Sequence, residues 1–254
     1  MTSKFGYCLV SISPIRASES DASEMTSQLL FGEPIEILSS INNWLKIKTI
    51  LDEYEGYVDI KHIEPISESE KDTWLNSYGY QINRTNTLAG FNGEFMTFRG
   101  SFISNKDDEF FIGKQSYRIF QNNEEQLPNL LNLASNYLNS PYLWGGKSPF
   151  GIDCSGFVQI VYRFYGIQLP RDAKDQYLTG ENIPFDSIQE GDLAFFENKT
   201  GKIIHVGILD GKDRILHASG WVRWDLFDEN GITHLKSGQL THKLTGIKRY
   251  IIEK

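Results

Sequence analysis

The pattern of apolar residues changes near residue 127, and this change limits the folds open to the chain. Before it, short alternating segments such as Cys8–Ile12 and Trp44–Lys48 are separated by turn residues. After it, Leu130–Leu138 and Phe157–Phe164 show helical spacing, and strand-like segments follow. Period-two alternation is typical of half-buried strands, whereas spacing of three and four is typical of amphipathic helices. The sequence therefore predicts an all-β N-terminal part and an α+β C-terminal part.

The composition excludes several classes of partner. The chain has 254 residues, of which 40% are hydrophobic and 23% charged, as in ordinary globular proteins. Its formal net charge of -8 argues against nucleic acid and against a polyanionic wall polymer as the main ligand, because such binding depends on Lys and Arg. No segment approaches the apolar length of a membrane span. We therefore expect neither a nucleic-acid nor a membrane partner.

The two cysteines, Cys8 and Cys154, lie far apart in unlike contexts, so the sequence offers no support for a disulfide. Such usage fits a reducing compartment. The apolar stretch from Tyr7 to Ile12 is too short for the core of a signal peptide. We expect a cytoplasmic protein, or a periplasmic or secreted one if a leader has been removed, and in either case a monomer.

The turn residues of the N-terminal part suggest small antiparallel barrels. Residues 1–66 form the first predicted barrel. Residues 67–122 form a second, degenerate barrel, with a turn at Asn92-Gly93 and a strand at Phe110–Ile112. A polar linker at Asn122–Gln126 leads into the C-terminal domain, which we place at residues 123–254.

Cys154 stands in the segment Gly151-Ile152-Asp153-Cys154-Ser155-Gly156, directly before an apolar run with helical spacing. A thiol at a helix start is favoured as thiolate, the form that acts as a nucleophile. Free backbone N–H groups in the first turn can also receive an oxyanion. This segment predicts a cysteine nucleophile.

His205 and His217 lie on two strand-like segments joined by a turn around Gly211. If the hairpin is centred on Gly211, the two histidines face each other directly, with Cβ atoms about 4.5–5.5 Å apart. One imidazole could then act as the base while the other holds its tautomer. A slip of one residue would send one histidine to the other face.

Less specific interpretations of these residues remain open. A lone cysteine is often an inert buried residue. Two histidines and one cysteine could bind zinc, but a structural zinc site requires four ligands. No Cys-x-x-Cys or His-x-x-x-His pair is present in the sequence. We therefore predict no metal and no cofactor. His62, His234 and His242 have no motif around them and are expected at the surface.

The motifs together resemble the NlpC-type cell-wall cysteine peptidases, the NlpC/p-sixty family. Over residues 125–252 the resemblance rests on five segments in the family's order: Tyr142-Leu143-Trp144-Gly145-Gly146, Asp153-Cys154-Ser155-Gly156-Phe157, Leu169-Pro170-Arg171 with Gln176, Gly191–Phe196, and His205-Val206-Gly207-Ile208 with His217-Ala218. The N-terminal order is similar to bacterial SH3-like domains. The resemblance implies one or two small all-β SH3-like barrels before a papain-like α+β domain, in which a helix carrying cysteine packs on an antiparallel sheet.

The resemblance implies catalytic roles for Cys154 as nucleophile, His205 as general base and His217 as orienting residue, with Tyr142 beside the oxyanion. The expected activity is that of a cysteine endopeptidase cutting the bond between γ-D-glutamate and the diamino acid of peptidoglycan stem peptides, through a thioester. Ala173 departs from the family pattern, where many relatives carry Ser, so a substrate contact from that side chain is in doubt.

SH3-like units ahead of this domain are similar to muropeptide-recycling members, which require a free N-terminal L-Ala. By that resemblance, Asp153, Ser155 and Arg171 line the substrate site, and an acid from the barrel helps to hold the ammonium group. Glu55 is the candidate for that acid, with Asp52 and Glu53 as rivals. The expected partners are peptidoglycan-derived peptides.

Three alternatives stay open at this stage. The same chemistry could act outside the cell on intact wall, with the barrels as wall-binding modules. The domain could be a catalytically inactive binding module, although Cys154, His205 and His217 are all retained. An acyltransferase could use the same thioester with a different acceptor.

Overall fold

The computed structural model describes residues 3–120 and 126–250. These residues fall into two compact units, one of residues 3–120, 126 and 147–149, the other of residues 127–146 and 150–250. The predicted domain boundary between residues 122 and 123 lies outside the described residues, as does the predicted linker except for Gln126. No helix of the described segments is long and apolar enough to cross a membrane.

The first part of the first unit is all-β, as the alternating pattern predicts. Its strands are β1 (Phe5–Cys8), β2 (Ile12–Arg16), β3 (Met25–Leu30), β4 (Pro34–Ile41), β5 (Trp44–Thr49), β6 (Glu55–Asp59) and β7 (Ile63–Ile66), with a short 3-10 helix at Ile60–His62. They form one antiparallel sheet in the order β3-β2-β6-β5-β4-β1-β7. In β5, Leu45, Ile47 and Thr49 are buried and alternate with more exposed residues. This alternation gives the sheet one apolar face.

The rest of the first unit begins with a helix that the sequence analysis does not predict, α1 (Glu68–Leu75). Its signal is a capping box, in which Ser67 and Glu70 satisfy each other's backbone N–H groups. The strands that follow are β8 (Tyr78–Tyr80), β9 (Thr85–Gly90), β10 (Gly93–Phe98), β11 (Phe102–Ser104), β12 (Glu109–Ile112) and β13 (Gln115–Ile119), and a later segment adds β14 (Lys147–Ser148).

One apolar cluster joins the two halves of the first unit. Phe5 and Phe31 pack with Trp74 and Phe110 in this core, and the indole N–H of Trp74 donates to the Gly32 carbonyl at 2.8 Å. The Trp74 ring stacks on Phe110 with centroids 5.8 Å apart. The predicted boundary at residue 66 stays a prediction, and a shared core crosses it.

The second unit combines short helices with a sheet. Its helices are α2 (Leu130–Ser135), α3 (Cys154–Arg163) and α4 (Ala173–Tyr177), with a 3-10 helix at Phe185–Ser187. Its strands are β15 (Gly151–Ile152), β16 (Glu181–Asn182), β17 (Leu193–Glu197), β18 (Ile203–Asp210), β19 (Arg214–Ser219), β20 (Trp221–Asp228), β21 (Gly231–Thr233) and β22 (Leu240–Arg249). This mixture confirms the predicted α+β class.

The main sheet of the second unit has the order β16-β22-β17-β18-β19-β20-β21, and β21 also pairs with β22. Strands β17–β22 therefore close on themselves as a barrel, which leaves none of those strands with a free edge. Ala194, Leu209, Ile215 and Phe227 pack together in an apolar cluster between these strands. Helix α3 packs against β18 and β19. This packing places the start of α3 beside the histidine-bearing strands.

A buried ion pair holds the segment 147–149 in the first unit. The Lys147 ammonium lies 3.3 Å from a Glu33 carboxylate oxygen, and each side chain is only 1% exposed. Glu33 also accepts a hydrogen bond from the Leu30 amide at 3.1 Å, and the Lys147 amide donates to Gln28 at 2.8 Å. A buried pair depends on both partners, because removing one leaves a charge in a poorly solvating interior.

Lys147→Met should therefore lower the free energy of unfolding by about 3–5 kcal/mol, measured by urea denaturation. The double variant Lys147→Met/Glu33→Gln should recover part of that loss, because it removes the remaining charge. As a matched control, Lys61→Met breaks the exposed pair with Asp59 and should cost at most about 1 kcal/mol. Equal losses in the two single variants would contradict the prediction.

Candidate active site

Cys154 is the first residue of α3, and Asp153 caps this helix by accepting a hydrogen bond from the Gly156 amide at 2.7 Å. The thiol is buried against β18, with Sγ 4.0 Å from the Ile204 carbonyl oxygen. Burial, and next the charge of Asp153, raise the pKa of the Cys154 thiol to about 12. The resting group is therefore a neutral thiol, which needs a base to become a nucleophile.

A chain of hydrogen bonds runs through the two histidines to a buried carboxylate. His205 Nε2 lies 2.8 Å from His217 Nδ1, and His217 Nε2 lies 3.0 Å from Asp225 Oδ2. Arg223 Nε donates to the same carboxylate oxygen at 2.9 Å, and the Leu235 amide donates to Oδ1 at 2.9 Å. The carboxylate is thus fully engaged at the end of the chain.

The Asp225 carboxylate fixes the proton positions along this chain. Bonding to His217 and the nearby Arg223 guanidinium offset its burial, so its pKa is lowered to about 2 and it stays an acceptor. Neutral His217 must then carry its proton on Nε2 and accept from His205 at Nδ1. His205 in turn carries its proton on Nε2. Its Nδ1 is left with a lone pair, the form that a general base requires.

Burial keeps both histidines neutral at rest. It lowers the pKa of His205 well below its usual value, and the neighbouring His217 and His242 add to this effect. Burial also lowers the pKa of His217, against the opposing influence of Asp225. Both rings therefore stay uncharged near neutral pH, and His205 remains free to accept a proton.

The hairpin that carries the histidines differs from the predicted register. Leu209 lies opposite Ile215, so the hairpin is centred on Lys212, and the predicted centre at Gly211 is wrong by one residue. The reason is that β18 continues through Asp210, so the three-residue loop consists of residues 211–213 and not 210–212. Moving the centre by one residue moves each partner by two, so the two histidines stay on one face. They meet diagonally instead of directly.

Gly207 makes this diagonal contact possible. A Cβ atom at this position would lie 2.9 Å from the Cβ of His217 and 2.8 Å from Cγ1 of Ile215. Both distances are shorter than side chains tolerate, and neither neighbouring atom is the far end of a flexible chain. Because Gly207 has no side chain, His217 on β19 can reach His205 on β18.

A second network holds the residue before the nucleophile. Arg171 bonds both oxygens of Asp153, at 3.0 and 2.6 Å, and also donates to the Ser155 hydroxyl at 2.9 Å. The Gly145 amide donates to Asp153 at 2.8 Å. Gln176 donates to the Ser155 carbonyl at 3.1 Å, which anchors the first turn of α3. The structure therefore brings Asp153, Ser155 and Arg171 together, as the substrate-site prediction requires, while their contact with a substrate stays a prediction.

Tyr142 is half-buried near the thiol. Burial raises the pKa of its phenol, and the neighbouring Cys154 and Asp153 add to this effect. Its hydroxyl is a neutral donor, which suits a group beside an oxyanion. The predicted role of Tyr142 is consistent with this environment and stays a prediction.

Glu55 belongs to the first unit, where it begins β6. Its carboxylate is half-exposed and lies 2.9 Å from the Lys46 ammonium. Of the two rival acids, Glu53 pairs with Lys48 at 2.9 Å and Asp52 accepts from the Thr49 hydroxyl. An ammonium ligand of Glu55 would have to displace Lys46.

Sequence reasoning misses Asp225 and Arg223, because they lie on β20, a strand without a recognised motif. The alternation of Trp221, Arg223, Asp225 and Phe227 on one face of that strand is the signal that could have found them. The surface placement of His242 is wrong. Its ring stacks on His205 with centroids 4.4 Å apart, because β22 closes the barrel beside β17.

No metal centre is found among residues 3–120 and 126–250, since no group of three or more His, Cys, Asp or Glu side chains there could hold an ion. The donors that come close to one another are instead joined by hydrogen bonds, as in His205–His217–Asp225. The arrangement suits proton transfer from a thiol.

Comparisons with known proteins identify two parts of the chain. Residues 139–247 match the NlpC/P60 family, and residues 15–63 match the bacterial dipeptidyl-peptidase SH3 domain. A γ-D-glutamyl-L-lysine dipeptidyl-peptidase of Bacillus subtilis is 28% identical over 76% of this chain and 71% of its own length. A dipeptidyl-peptidase 6 of Lysinibacillus sphaericus is 26% identical over 77% of this chain and 80% of its own.

The crystal structure of an NlpC/P60 family protein from Bacillus cereus matches with a TM-score of 0.77 at 18% identity, covering 97% of this chain and 99% of that one. Likeness at this identity shows the fold alone. It confirms the predicted fold class, an SH3-like all-β barrel followed by a papain-like α+β domain. The chain therefore carries an NlpC/P60 family domain, a cysteine peptidase domain, at residues 139–247 and a bacterial SH3 domain at residues 15–63.

Proposed function

We propose that the protein hydrolyses the bond between γ-D-glutamate and the diamino acid of peptidoglycan stem peptides, on free muropeptides with an unblocked N-terminal L-Ala. The observation that carries the chemistry is the hydrogen-bonded chain His205–His217–Asp225, which leaves a lone pair on His205 Nδ1. The named activity of the Bacillus subtilis relative, a γ-D-glutamyl-L-lysine dipeptidyl-peptidase, supports the substrate.

Acylation begins when His205 Nδ1 takes the proton of the Cys154 thiol and Sγ attacks the γ-carbonyl carbon. The carbonyl oxygen becomes an oxyanion, and we expect an amide of the first turn of α3 and the Tyr142 hydroxyl to stabilise it. The C–N bond then breaks, and His205 returns its proton to the leaving amine of the diamino acid. A thioester between Cys154 and the γ-carboxyl group remains.

Deacylation uses the same base. His205 Nδ1 accepts a proton from water, the hydroxide attacks the thioester carbon, and the C–S bond breaks. The proton returns to the sulfur, which restores the neutral thiol and releases L-Ala-γ-D-Glu. In both halves the positive charge on His205 is stabilised through His217 by the Asp225 carboxylate.

Selection for a free amine is the finer part of the proposal. Asp153 is the nearest candidate for holding an ammonium group, since it directly precedes the nucleophile. Its carboxylate already binds Arg171 through both oxygens. An ammonium group would therefore share these oxygens with the guanidinium, and a comparison of blocked and unblocked substrates tests this point directly.

The experiment compares L-Ala-γ-D-Glu-L-Lys with its N-acetylated form, with products followed by liquid chromatography. We expect release of L-Ala-γ-D-Glu from the free peptide, and a loss of at least about 1,000-fold in Cys154→Ala. Cys8→Ala is the matched control, because it removes the buried thiol of the first unit and should leave turnover intact.

Equal rates on the acetylated and free peptides would disprove the free-amine requirement while leaving the peptidase chemistry standing. Cleavage of intact cross-linked wall at a rate similar to that of the free peptide would favour the wall hydrolase instead. Full activity of Cys154→Ala would disprove the proposed nucleophile.

The carboxylate at the end of the chain should matter for turnover. Asp225→Asn keeps the size of the side chain but removes the charge that stabilises the imidazolium, so kcat should fall by about 10- to 100-fold with little change in KM. The control is Asp213→Asn, an exposed acid in the hairpin loop. An Asp225→Asn enzyme with wild-type kcat would show that the chain has no electrostatic role.

The acidic limb of kcat/KM should lie below the ordinary histidine pKa of 6.5. Activity requires neutral His205, and burial lowers its pKa, so lowering the pH through 6.5 leaves the base unprotonated. Activity is then lost only at a lower pH, where His205 takes up a proton. His62→Gln, a change in the first unit, should leave the limb unmoved, whereas a limb centred at or above pH 6.5 would contradict the assignment.

A further inference from the structure

His242 lies on the face of the catalytic-base candidate. The His242 and His205 rings stack with centroids 4.4 Å apart and an angle of 25° between their planes. His217 meets His205 edge-on instead, with centroids 5.1 Å apart and an angle of 81°. The His205 ring thus has one neighbour that bonds its edge and another that covers its face, while Phe196 lies farther off, tilted by 44° with centroids 5.9 Å apart.

The hydrogen bond to His217 does not by itself prevent one motion of the His205 ring. A single N–H···N contact fixes a line through the two nitrogens, and the ring can still tilt about it. The second side-chain torsion of histidine has broad wells, so intrinsic preference does not prevent that tilt. A ring packed flat against the face does prevent it, and it keeps Nδ1 directed along one line.

His242 is itself held in place. Its Nδ1 lies 2.9 Å from the Thr241 hydroxyl, and its ring also meets Phe196 edge-on, with centroids 5.8 Å apart. His242 sits opposite Ile232 in the pairing of β21 with β22. The stacked ring is therefore part of the closed barrel and not a loop side chain.

The charges around the stack favour a neutral His242. Burial, then His217 and Arg223, lower the pKa of His242 to about 4, against an opposing effect of Asp225. The charged and titratable groups that act on the pair are thus His217 on β19 and Arg223 and Asp225 on β20. Above about pH 4 the stacked ring is therefore neutral and carries no positive charge beside His205.

We propose that His242 is a positioning residue for His205: its stacked ring restricts the tilt of the base and so keeps Nδ1 directed at the Cys154 thiol. This inference rests on the proposed pairing of Cys154 with His205. It predicts that an aromatic ring is needed at position 242, and that the imidazole nitrogens are not.

The test compares two aromatic variants, His242→Phe and His242→Tyr, with two non-aromatic ones, His242→Leu and His242→Gln. The first readout is the rate of alkylation of Cys154 by iodoacetamide against pH, followed by mass spectrometry of the Cys154 peptide. This reaction needs no peptide substrate, so it can fail or succeed independently of the proposed specificity. The second readout is kcat and KM on L-Ala-γ-D-Glu-L-Lys.

Near neutral pH, alkylation of the non-aromatic variants should be about tenfold slower than wild type, and the aromatic variants should stay within about twofold. At strongly alkaline pH the alkylation rates of wild type and all variants should converge, because the Cys154 thiol then ionises without the help of His205. On the peptide, kcat should follow the same order while KM changes little. If the His242→Leu variant does not fold, the comparison of non-aromatic variants uses His242→Gln alone.

Wild-type alkylation rates in both non-aromatic variants at neutral pH would overturn the inference. So would a His242→Phe enzyme as slow as the non-aromatic ones, since that would assign the effect to the imidazole nitrogens. If alkylation follows the expected order and no variant cleaves the peptide, the inference stands and the proposed substrate is wrong.

Discussion

The candidate site depends on one buried negative charge, the carboxylate of Asp225. Because it stays ionised, it can only accept hydrogen bonds, and this sets the proton positions in both histidines beyond it. With a neutral hydroxyl or amide at this position, either tautomer of His217 would be possible, and the lone pair on His205 could face away from the thiol. The direction of proton transfer is therefore set by a carboxylate that lies two hydrogen bonds away from His205. It also requires Gly207, which lets the two histidines approach.

A second buried carboxylate, Asp153, has a different role, but it too is paired with an arginine. Each of the two acids has an arginine within hydrogen-bond distance, Arg171 for Asp153 and Arg223 for Asp225. Pairing reduces the cost of burying the charges and limits how far their fields reach. For Asp153 this matters because its charge opposes formation of the thiolate next to it, and Arg171 counteracts that effect. Asp153 can then cap α3 and hold the loop before this helix, while it opposes formation of the Cys154 thiolate less than an unpaired carboxylate would.

The sequence predicts those parts of the site that local spacing determines. Asp153 before an apolar helical run indicates a capped helix with Cys154 in its first turn, and the parity of residues 205 and 217 puts both histidines on one face. The register could not be predicted, because it depends on which three residues form the loop, residues 211–213 in the structure and residues 210–212 for a centre at Gly211. Asp225 could be found only by pairing β20 with β19, because the alternation along β20 does not by itself show which residues face His217. His242 could not be predicted, since β22 reaches the site only through the closure of the barrel, and no local pattern carries that contact.

Burial has opposite effects on the pKa values of the two groups that we propose exchange a proton, Cys154 and His205. It raises the pKa of the Cys154 thiol and lowers the pKa of the His205 imidazole, so it disfavours each charged form taken alone. Transfer between them creates both charges together, and their mutual attraction in a poorly solvated site offsets the cost. Reactivity therefore depends on how well the two groups are aligned and less on how acidic the thiol is by itself. This explains why the site is rich in contacts that fix the orientation of His205, by its edge through His217 and by its face through His242.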